Sequence, residues 1–327
     1  MFNTTKLKFD DIFEDRLSQE EIREYLLELY ERGETAAEIA GAASAMRDHL
    51  IPLPIHEDLR EKAIDIVGTG GDKSYSFNIS STVSILLAAC GCYVAKHGNR
   101  SVTSKSGSAD MLEAMGINLN LSLEATAKML EDTGFGFMFA ANHHPAMKFI
   151  TPVRKTIPHR TIMNILGPLC NPAGVSKQVI GVFDKNYINR IATALDLLDS
   201  KRAMILASND GMDEISVSDV TYATLLINGK IEDIEINPED YGIPMASKED
   251  IIGEGPEFNA KLTRDILSKK IVGAKLDIVL INAAAALIVD EKARDFKDGI
   301  DIAKAAIISG AAQAKLEQII KVSQQLS

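Results

Sequence analysis

The chain of 327 residues has only three cysteines, Cys90, Cys92 and Cys170, and no zinc-type spacing among them. Cys90-Gly-Cys92 falls one residue short of a Cys-x-x-Cys redox motif, so the cysteines are expected to be small core residues in a reducing cytoplasm rather than a disulfide framework. Excess positive charge is lacking too: 35 Lys and Arg stand against 46 Asp and Glu, a net charge of −11. That balance argues against nonspecific nucleic-acid binding, which needs a basic surface. No apolar run reaches the roughly 20 residues of a membrane helix. The opening Met1-Phe-Asn-Thr-Thr-Lys6 lacks the apolar core of a signal peptide. With 46% hydrophobic and 25% charged residues, the expectation is a soluble cytoplasmic globular protein with no membrane and no nucleic-acid partner.

What is present divides in two. Residues 1–62 read as helices: Ser18-x-x-Glu21 and Thr35-x-x-Glu38 are capping boxes, and Ile22, Tyr25, Leu26 and Leu29 form an apolar stripe. The segment 36–50 is alanine-rich around Gly41, small enough to pack closely within the domain or against a second subunit. From residue 63 short apolar runs alternate with helical patterns. Strands are predicted at 64–67, 93–95, 135–140, 179–183 and 203–207, with helices at 83–89, 111–115 and 123–130 and an amphipathic one carrying Ile188, Ile191, Leu195 and Leu198. Such alternation implies βαβ units and a mostly parallel sheet. Asn228-Gly229 between 224–227 and 231–236 predicts a type I′ hairpin. The C-terminal third reads as helices over 276–289 and 302–322, and the proline-bearing stretch 152–172 as a crossing between domains.

Between Asp65 and Asp110 lie three polar, glycine-rich connections: Asp65-Ile-Val-Gly-Thr-Gly-Gly-Asp72, Asn78-Ile-Ser-Ser81, and Lys96-His-Gly-Asn-Arg100 running on to Ser106-Gly-Ser-Ala-Asp110. Glycine lets backbone N–H groups approach a ligand, helix N-termini favour anions, and Lys96 and Arg100 add full charges. A small, multiply phosphorylated ligand fits that combination. The first loop is not a Walker A motif, because Val67 and Asp72 occupy its glycine positions, and Lys73 breaks a dinucleotide fingerprint. Each loop also has a plainer reading: a tight turn for Gly68 to Asp72, N-capping for one of Asn78, Ser80 and Ser81 but not all three, capping again for Ser108 to Asp110, and a solvated basic turn after a strand for Lys96 and Arg100. Asp213-Glu214, beyond the strand at 203–207, suits Mg²⁺ or an acidic turn equally. Arg154 is either a surface charge or a bidentate carboxylate clamp.

In order along the chain, Asp65-x-x-Gly-Thr-Gly-Gly-Asp72, Phe77-Asn-Ile-Ser80, Lys96-His-Gly-Asn-Arg100, Ser106-Gly-Ser-Ala-Asp110, His144-Pro-Ala-Met147, Arg160-Thr161, Asn164-x-x-Gly-Pro-Leu169, Asn171-Pro172 and Gly211-x-Asp213-Glu214 resemble the anthranilate phosphoribosyltransferases. The resemblance implies an α/β fold: a small helical domain (1–62, completed by helices within about 156–178) plus a larger α/β domain (63–327) with a mostly parallel central sheet flanked by helices. It implies a homodimer formed through the helical domain. It also implies transfer of the phosphoribosyl group of 5-phospho-α-D-ribose 1-diphosphate to the amine of anthranilate, in tryptophan biosynthesis.

Carried over by residue, Gly68, Gly71, Asp72, Ser76, Asn78, Ser80, Ser81, Lys96, Ser104 and Ser108 would hold phosphoribosyl diphosphate. Gly68, His97, Asn99 and Arg154 would hold anthranilate, and Ser80, Asp213 and Glu214 would bind Mg²⁺. No acid/base residue is required; Lys96, Asn99 and Arg154 position the substrates. Ser81, commonly threonine, and Thr156-Ile-Pro-His159, usually Leu-Gly-Ile, depart from the family pattern. A pyrimidine nucleoside phosphorylase-like enzyme and a noncatalytic nucleic-acid-binding relative are the alternatives.

Overall fold

The computed structural model describes residues 1–72, 74–101 and 105–326. Seven strands form one sheet: β1 (Ala63–Gly68), β2 (Tyr93–Gly98), β3 (Phe135–Phe139), β4 (Lys177–Gly181), β5 (Arg202–Ser208), β6 (Thr221–Ile227) and β7 (Lys230–Ile236), in the order β3-β2-β1-β4-β5-β6-β7. The first five are mutually parallel, and β6 and β7 close the edge as an antiparallel hairpin. Its turn is the one Asn-Gly dictates: Asn228 and Gly229 have φ of 48° and 82°, as type I′ requires. No described helix is long and apolar enough to cross a membrane.

The chain builds outward from β1 through β2 to β3, then jumps back to β4 on the other side of β1. The strand order therefore reverses between β1 and β4, and at the carboxyl ends of such a pair a crevice opens for ligands. Strand alternation divides the flanking layers. Ile64, Ile66 and Val179 join a core with the largely buried Ile79–Ala89 helix and the Ala274–Val289 helix, whereas Ile180, Ile205 and Ala207 face the N-terminal helices.

Those N-terminal helices are Phe2–Phe13, Gln19–Arg32 and Ala36–Asp48, and both predicted capping boxes are made. They share one core with residues of the Met147–Arg154, Met163–Leu169 and Ile188–Leu197 helices. The alanine-rich helix packs inside the chain: a Cβ on Gly41 would collide with the Phe2 carbonyl, and Ala40, Ala42, Ala43 and Ala45 have no exposed surface.

Three expectations change. β2 runs on through Lys96 and His97 to Gly98, because these residues pair with Phe137, Met138 and Phe139 of β3; both side chains thus stand on the strand rather than after it. The stretch 302–322 is two helices, Phe296–Ile308 and Ala311–Gln325, separated at Gly310 with φ of 82°. The Ile79–Ala89 helix starts earlier than predicted, with Ser80 and Ser81 inside it and Asn78 at its N-cap making no side-chain cap bond. The unassigned segment after β7 contains a further helix, Pro256–Leu267.

Candidate active site

At the switch point two glycines face each other in register, Gly68 ending β1 and Gly181 ending β4. Their missing side chains make the slot into which the loop after β5 inserts. A Cβ on Gly68 would strike the Asp213 carboxylate, and one on Gly181 would strike the Asp213 backbone carbonyl. The Gly70 N–H donates to Asp213 Oδ2 at 2.6 Å, and the Thr69 N–H ties the glycine loop to the Gly181 carbonyl at 2.9 Å. Gly70 and Gly71 adopt φ of 71° and 70°, which only glycine does at little cost.

Three carboxylates converge there. Oxygens of Asp72, Asp213 and Glu214 all lie within 4.8 Å of one another. Asp72 Oδ2 and Glu214 Oε2 are buried with no hydrogen-bond partner. Burial first, then the neighbouring acids, raises the Asp213 and Glu214 carboxyls above their ordinary range. A solvated acidic turn would show neither the crowding nor the orphaned oxygens. Hard oxygen donors held together against their own repulsion fit a divalent cation such as Mg²⁺.

Lys96 brings a positive charge to this side, directed by β2 onto the Ile79–Ala89 helix. Its Nζ donates to the Ile66 carbonyl at 2.8 Å and to Ser80 Oγ at 3.3 Å. Burial draws its pKa down while Asp65 and Glu214 work against that. Ser80, Gly68, Asp213 and Glu214 line a common small pocket with Asn282. Asn282, on the Ala274–Val289 helix, clamps the acid loop: its amide donates to the Ile215 carbonyl at 2.8 Å and its oxygen accepts from the Ile215 N–H at 2.9 Å. We expect Asn282→Leu to raise the Mg²⁺ concentration needed for half-maximal activity by about 10- to 100-fold, the usual loss when a group orienting metal ligands is removed. Titrating Mg²⁺ against initial rate checks it, and an unshifted curve would clear Asn282 of the role.

On the opposite face of β2 sits His97, with His144 Nε2 3.2 Å from its own Nε2. Burial, and in His97 also the His144 ring, lowers both rings, to about 3 and about 4. The pair is neutral at physiological pH and offers a hydrogen-bonding, uncharged wall. Beneath it, buried Asp65 accepts from the His97 N–H at 3.3 Å and from Asn171 Nδ2 at 2.8 Å.

Other expected residues are placed less directly. Asn78 has its side chain committed to Ser106 and Asn259, tying the second connection to the third and to the Pro256–Leu267 helix. Ser76 Oγ accepts from Ser74 Oγ at 3.1 Å, and Ser108 Oγ donates to the Asn99 carbonyl at 3.2 Å. Ser81 Oγ is buried without a partner, and Ser104 lies outside the described residues. Arg154 closes the Met147–Arg154 helix, half-buried, with its guanidinium bonded to no described residue. Arg100 is not free for a phosphate: Asp110 and Glu113 hold it in exposed ion pairs at 3.1 and 2.6 Å.

Three residues here were absent from the sequence-derived site or cast differently. Arg160 donates to the Gly71 carbonyl and stacks over Phe183 at 3.6 Å, with its Nη1 buried and unpartnered. Asn282 was legible in retrospect as the lone amide in the apolar run from Ile278 to Val289. Asp72, expected at the substrate, stands among the cation donors.

Comparison with known proteins places the chain in a family of the same fold. The chain matches the glycosyl transferase family a/b domain over residues 60–313 and the helical bundle domain of the same family over residues 5–50. It is 43% identical over 319 residues to the anthranilate phosphoribosyltransferase of Azorhizobium caulinodans, covering 98% of this chain and 91% of that one. To the Methanobrevibacter smithii enzyme it is 44% identical, with 95% and 92% covered. The Thermus thermophilus anthranilate phosphoribosyltransferase structure superposes with a TM-score of 0.92 at 35% identity, over 99% and 96% of the two chains. The Saccharomyces cerevisiae enzyme in complex with PRPP and Mg does so at 0.86 and 25%, over 99% and 93%. This chain belongs to the anthranilate phosphoribosyltransferase family.

Proposed function

We propose that the crevice at the β1–β4 switch point holds 5-phospho-α-D-ribose 1-diphosphate, with anthranilate meeting it from the His97 side. The reaction is the family's: the anthranilate amine attacks C1, the C1–O bond to diphosphate breaks, and N-(5-phosphoribosyl)anthranilate forms in tryptophan biosynthesis. The observation that carries the assignment of place is the convergence of Gly68, Ser80, Asp213 and Glu214 on one pocket, with Lys96 bonded to Ser80 and Asp72 clustered with the two acids. The yeast relative with PRPP and Mg bound supports it.

Gly68, Gly71, Ser76, Asn78, Ser80, Ser81, Lys96 and Ser108 serve the phosphoribosyl diphosphate, and Ser80, Asp213 and Glu214 the Mg²⁺. Asp72 belongs with the cation, on the strength of its clustered oxygen. Bound Mg²⁺ supplies Lewis-acid stabilisation of the departing diphosphate. The chain's own part is to orient the leaving group with backbone N–H donors and Lys96, in a pocket where preorganised charge acts strongly. Anthranilate brings an aromatic amine already unprotonated at pH 7, so His97 and His144 need not act as bases. Gly68, His97 and Asn99 set its ring, and Arg154 takes its carboxylate.

The division into a helical domain (1–62) and an α/β domain (63–327), the homodimer through the helices, and the cytoplasmic location belong to the same proposal. The packing of the N-terminal helices with Ile165 and Leu166 supports completion of the helical domain by the 156–178 stretch, while the same core runs on into Ile180 and Ile205 of the sheet. Exposed Leu7 on the first helix is available to a second copy.

Anthranilate fluorescence should fall when purified protein is mixed with anthranilate, phosphoribosyl diphosphate and Mg²⁺. A steady signal, or phosphorolysis of thymidine instead, would overturn the reading. Arg154→Ala should raise the anthranilate KM by at least about tenfold and leave that of the diphosphate substrate within about twofold, the mark of lost uniform binding to one substrate. Equal effects on both would remove Arg154 from the carboxylate.

A further inference from the structure

We propose that a second cavity, away from the reaction site, binds a small oxyanion that also carries a hydrogen-bond donor, of the class of hydrogen phosphate or an amino- or hydroxycarboxylate. The cavity measures about 180 Å³ and lies where the end of the Ala36–Asp48 helix and the Glu57–Lys62 helix meet the segment 171–178. It faces the start of β4, whereas the reaction site sits at the strand's other end.

Two arginines and no acid line it. Arg47 donates from Nε to the Leu169 carbonyl at 2.8 Å, and no described carboxylate pairs with its guanidinium. Burial pulls its pKa down, opposed only by the Cys170 thiol, which burial keeps neutral. Arg47 is half-buried, and a partly desolvated cation without a counter-ion gains when an anion binds beside it. Arg60 meets Glu57 through Nη1 at 3.0 Å, while its Nε is buried with no acceptor. Gly174, at φ of 64°, leaves room beside this arm; a Cβ there would press Arg60 Cδ at 3.3 Å and Nε at 3.4 Å.

Gln178 adds the second half of the recognition. It is 1% exposed, its Nε2 donates to the Pro168 carbonyl at 2.7 Å, and its Oε1 accepts from nothing. An orphaned acceptor beside two guanidinium groups asks for a ligand offering both negative oxygen and an O–H or N–H. Asn171 does not compete for the anion, since its amide already bonds Asp65 Oδ2 and the Ala95 carbonyl, both at 2.8 Å. The site therefore reads charge through Arg47 and Arg60 and the donor through Gln178.

The test uses the full chain with the reaction site first saturated with Mg²⁺ and diphosphate, followed by calorimetric titration of inorganic phosphate. A further binding event is expected. Sulfate, which has the charge and shape but no O–H at neutral pH, should bind at least about tenfold more weakly, and Arg60→Gln should weaken phosphate by at least about tenfold, one broken charge-assisted contact in each case. Titrating glycine and acetate in parallel separates an aminocarboxylate from phosphate as the preferred source. Arg60 is partly exposed, so its variant folds; Gly174→Ala, crowding the same arm, provides a second variant. No event beyond the reaction site, or one that survives both variants unchanged, would overturn the site. Equal affinity for sulfate and phosphate would overturn the ligand class.

Discussion

Asp213→Asn combined with Glu214→Gln should cut turnover roughly 10²- to 10³-fold or more, the scale on which removing a single preorganised electrostatic group acts, while the metal-free protein becomes no less stable. The second half of that expectation separates a cation site from a structural cluster. Both carboxyls are raised by burial and by neighbouring acids, with Asp72 close by. A carboxyl whose pKa is raised in the folded state binds its proton more tightly there than in the unfolded chain. The contribution of these two groups to stability is then greatest at low pH and is lost as pH rises from about 4 through the raised folded values. The amides carry no charge, so the advantage of the variant over the metal-free wild type should grow across that window.

Mg²⁺ with diphosphate at roughly a hundred times its dissociation constant should stabilise the wild type by about 2.7 kcal/mol. In a chain of this size that is a Tm rise of several degrees, and the double variant should show none of it. Undiminished turnover at limiting Mg²⁺, or a variant that unfolds while the wild type does not, would show that the acids hold the fold rather than the metal.

The site was largely legible in the sequence because its groups lie on connections after strands, where glycine, serine and charge stand out from apolar runs. Asp65 to Asp72 and Asp213-Glu214 could each be found that way, and the structure places Asp72, Asp213 and Glu214 together. What the pattern could not give was which face of a strand a residue takes. Reading β2 as ending at Ala95 placed Lys96 and His97 in a loop with Arg100. Three further residues of β pairing instead put Lys96 on the metal side and His97 against His144, and leave Arg100 outside with Asp110 and Glu113. Asn282 and Arg160 come from segments far along the chain, and only tertiary packing brings them to the loops. The break at Gly310 escaped notice because apolar spacing continues across it in both helices.

Gly181→Ala should be the most damaging single-methyl change in the molecule's active half, and Gly70→Ala its informative partner. Gly181 has no unusual φ; its need for hydrogen arises from the Asp213 backbone, whose carbonyl occupies the space of a Cβ. A main-chain group in a buried loop cannot rotate aside as a side chain would. The loop must withdraw, taking Asp213 and Glu214 from Asp72 and breaking the bond from the Gly70 N–H to Asp213 Oδ2. Overpacking of this kind costs about 1–3 kcal/mol, so Tm should fall by several degrees, and activity should fall about 10²-fold or more with the cation donors dispersed. At Gly70 a Cβ would meet nothing within 4 Å, and only the φ of 71° resists it, a strain of about 1–2 kcal/mol for an L-residue. Its N–H remains in place to hold Asp213. Gly70→Ala should therefore lose comparable stability yet keep activity within about tenfold of wild type, since the acid cluster is untouched. Rates and melting curves for the two variants measured side by side decide the matter: if their activities fall in proportion to their stabilities, the slot between β1 and β4 is ordinary packing and does not set the position of Asp213.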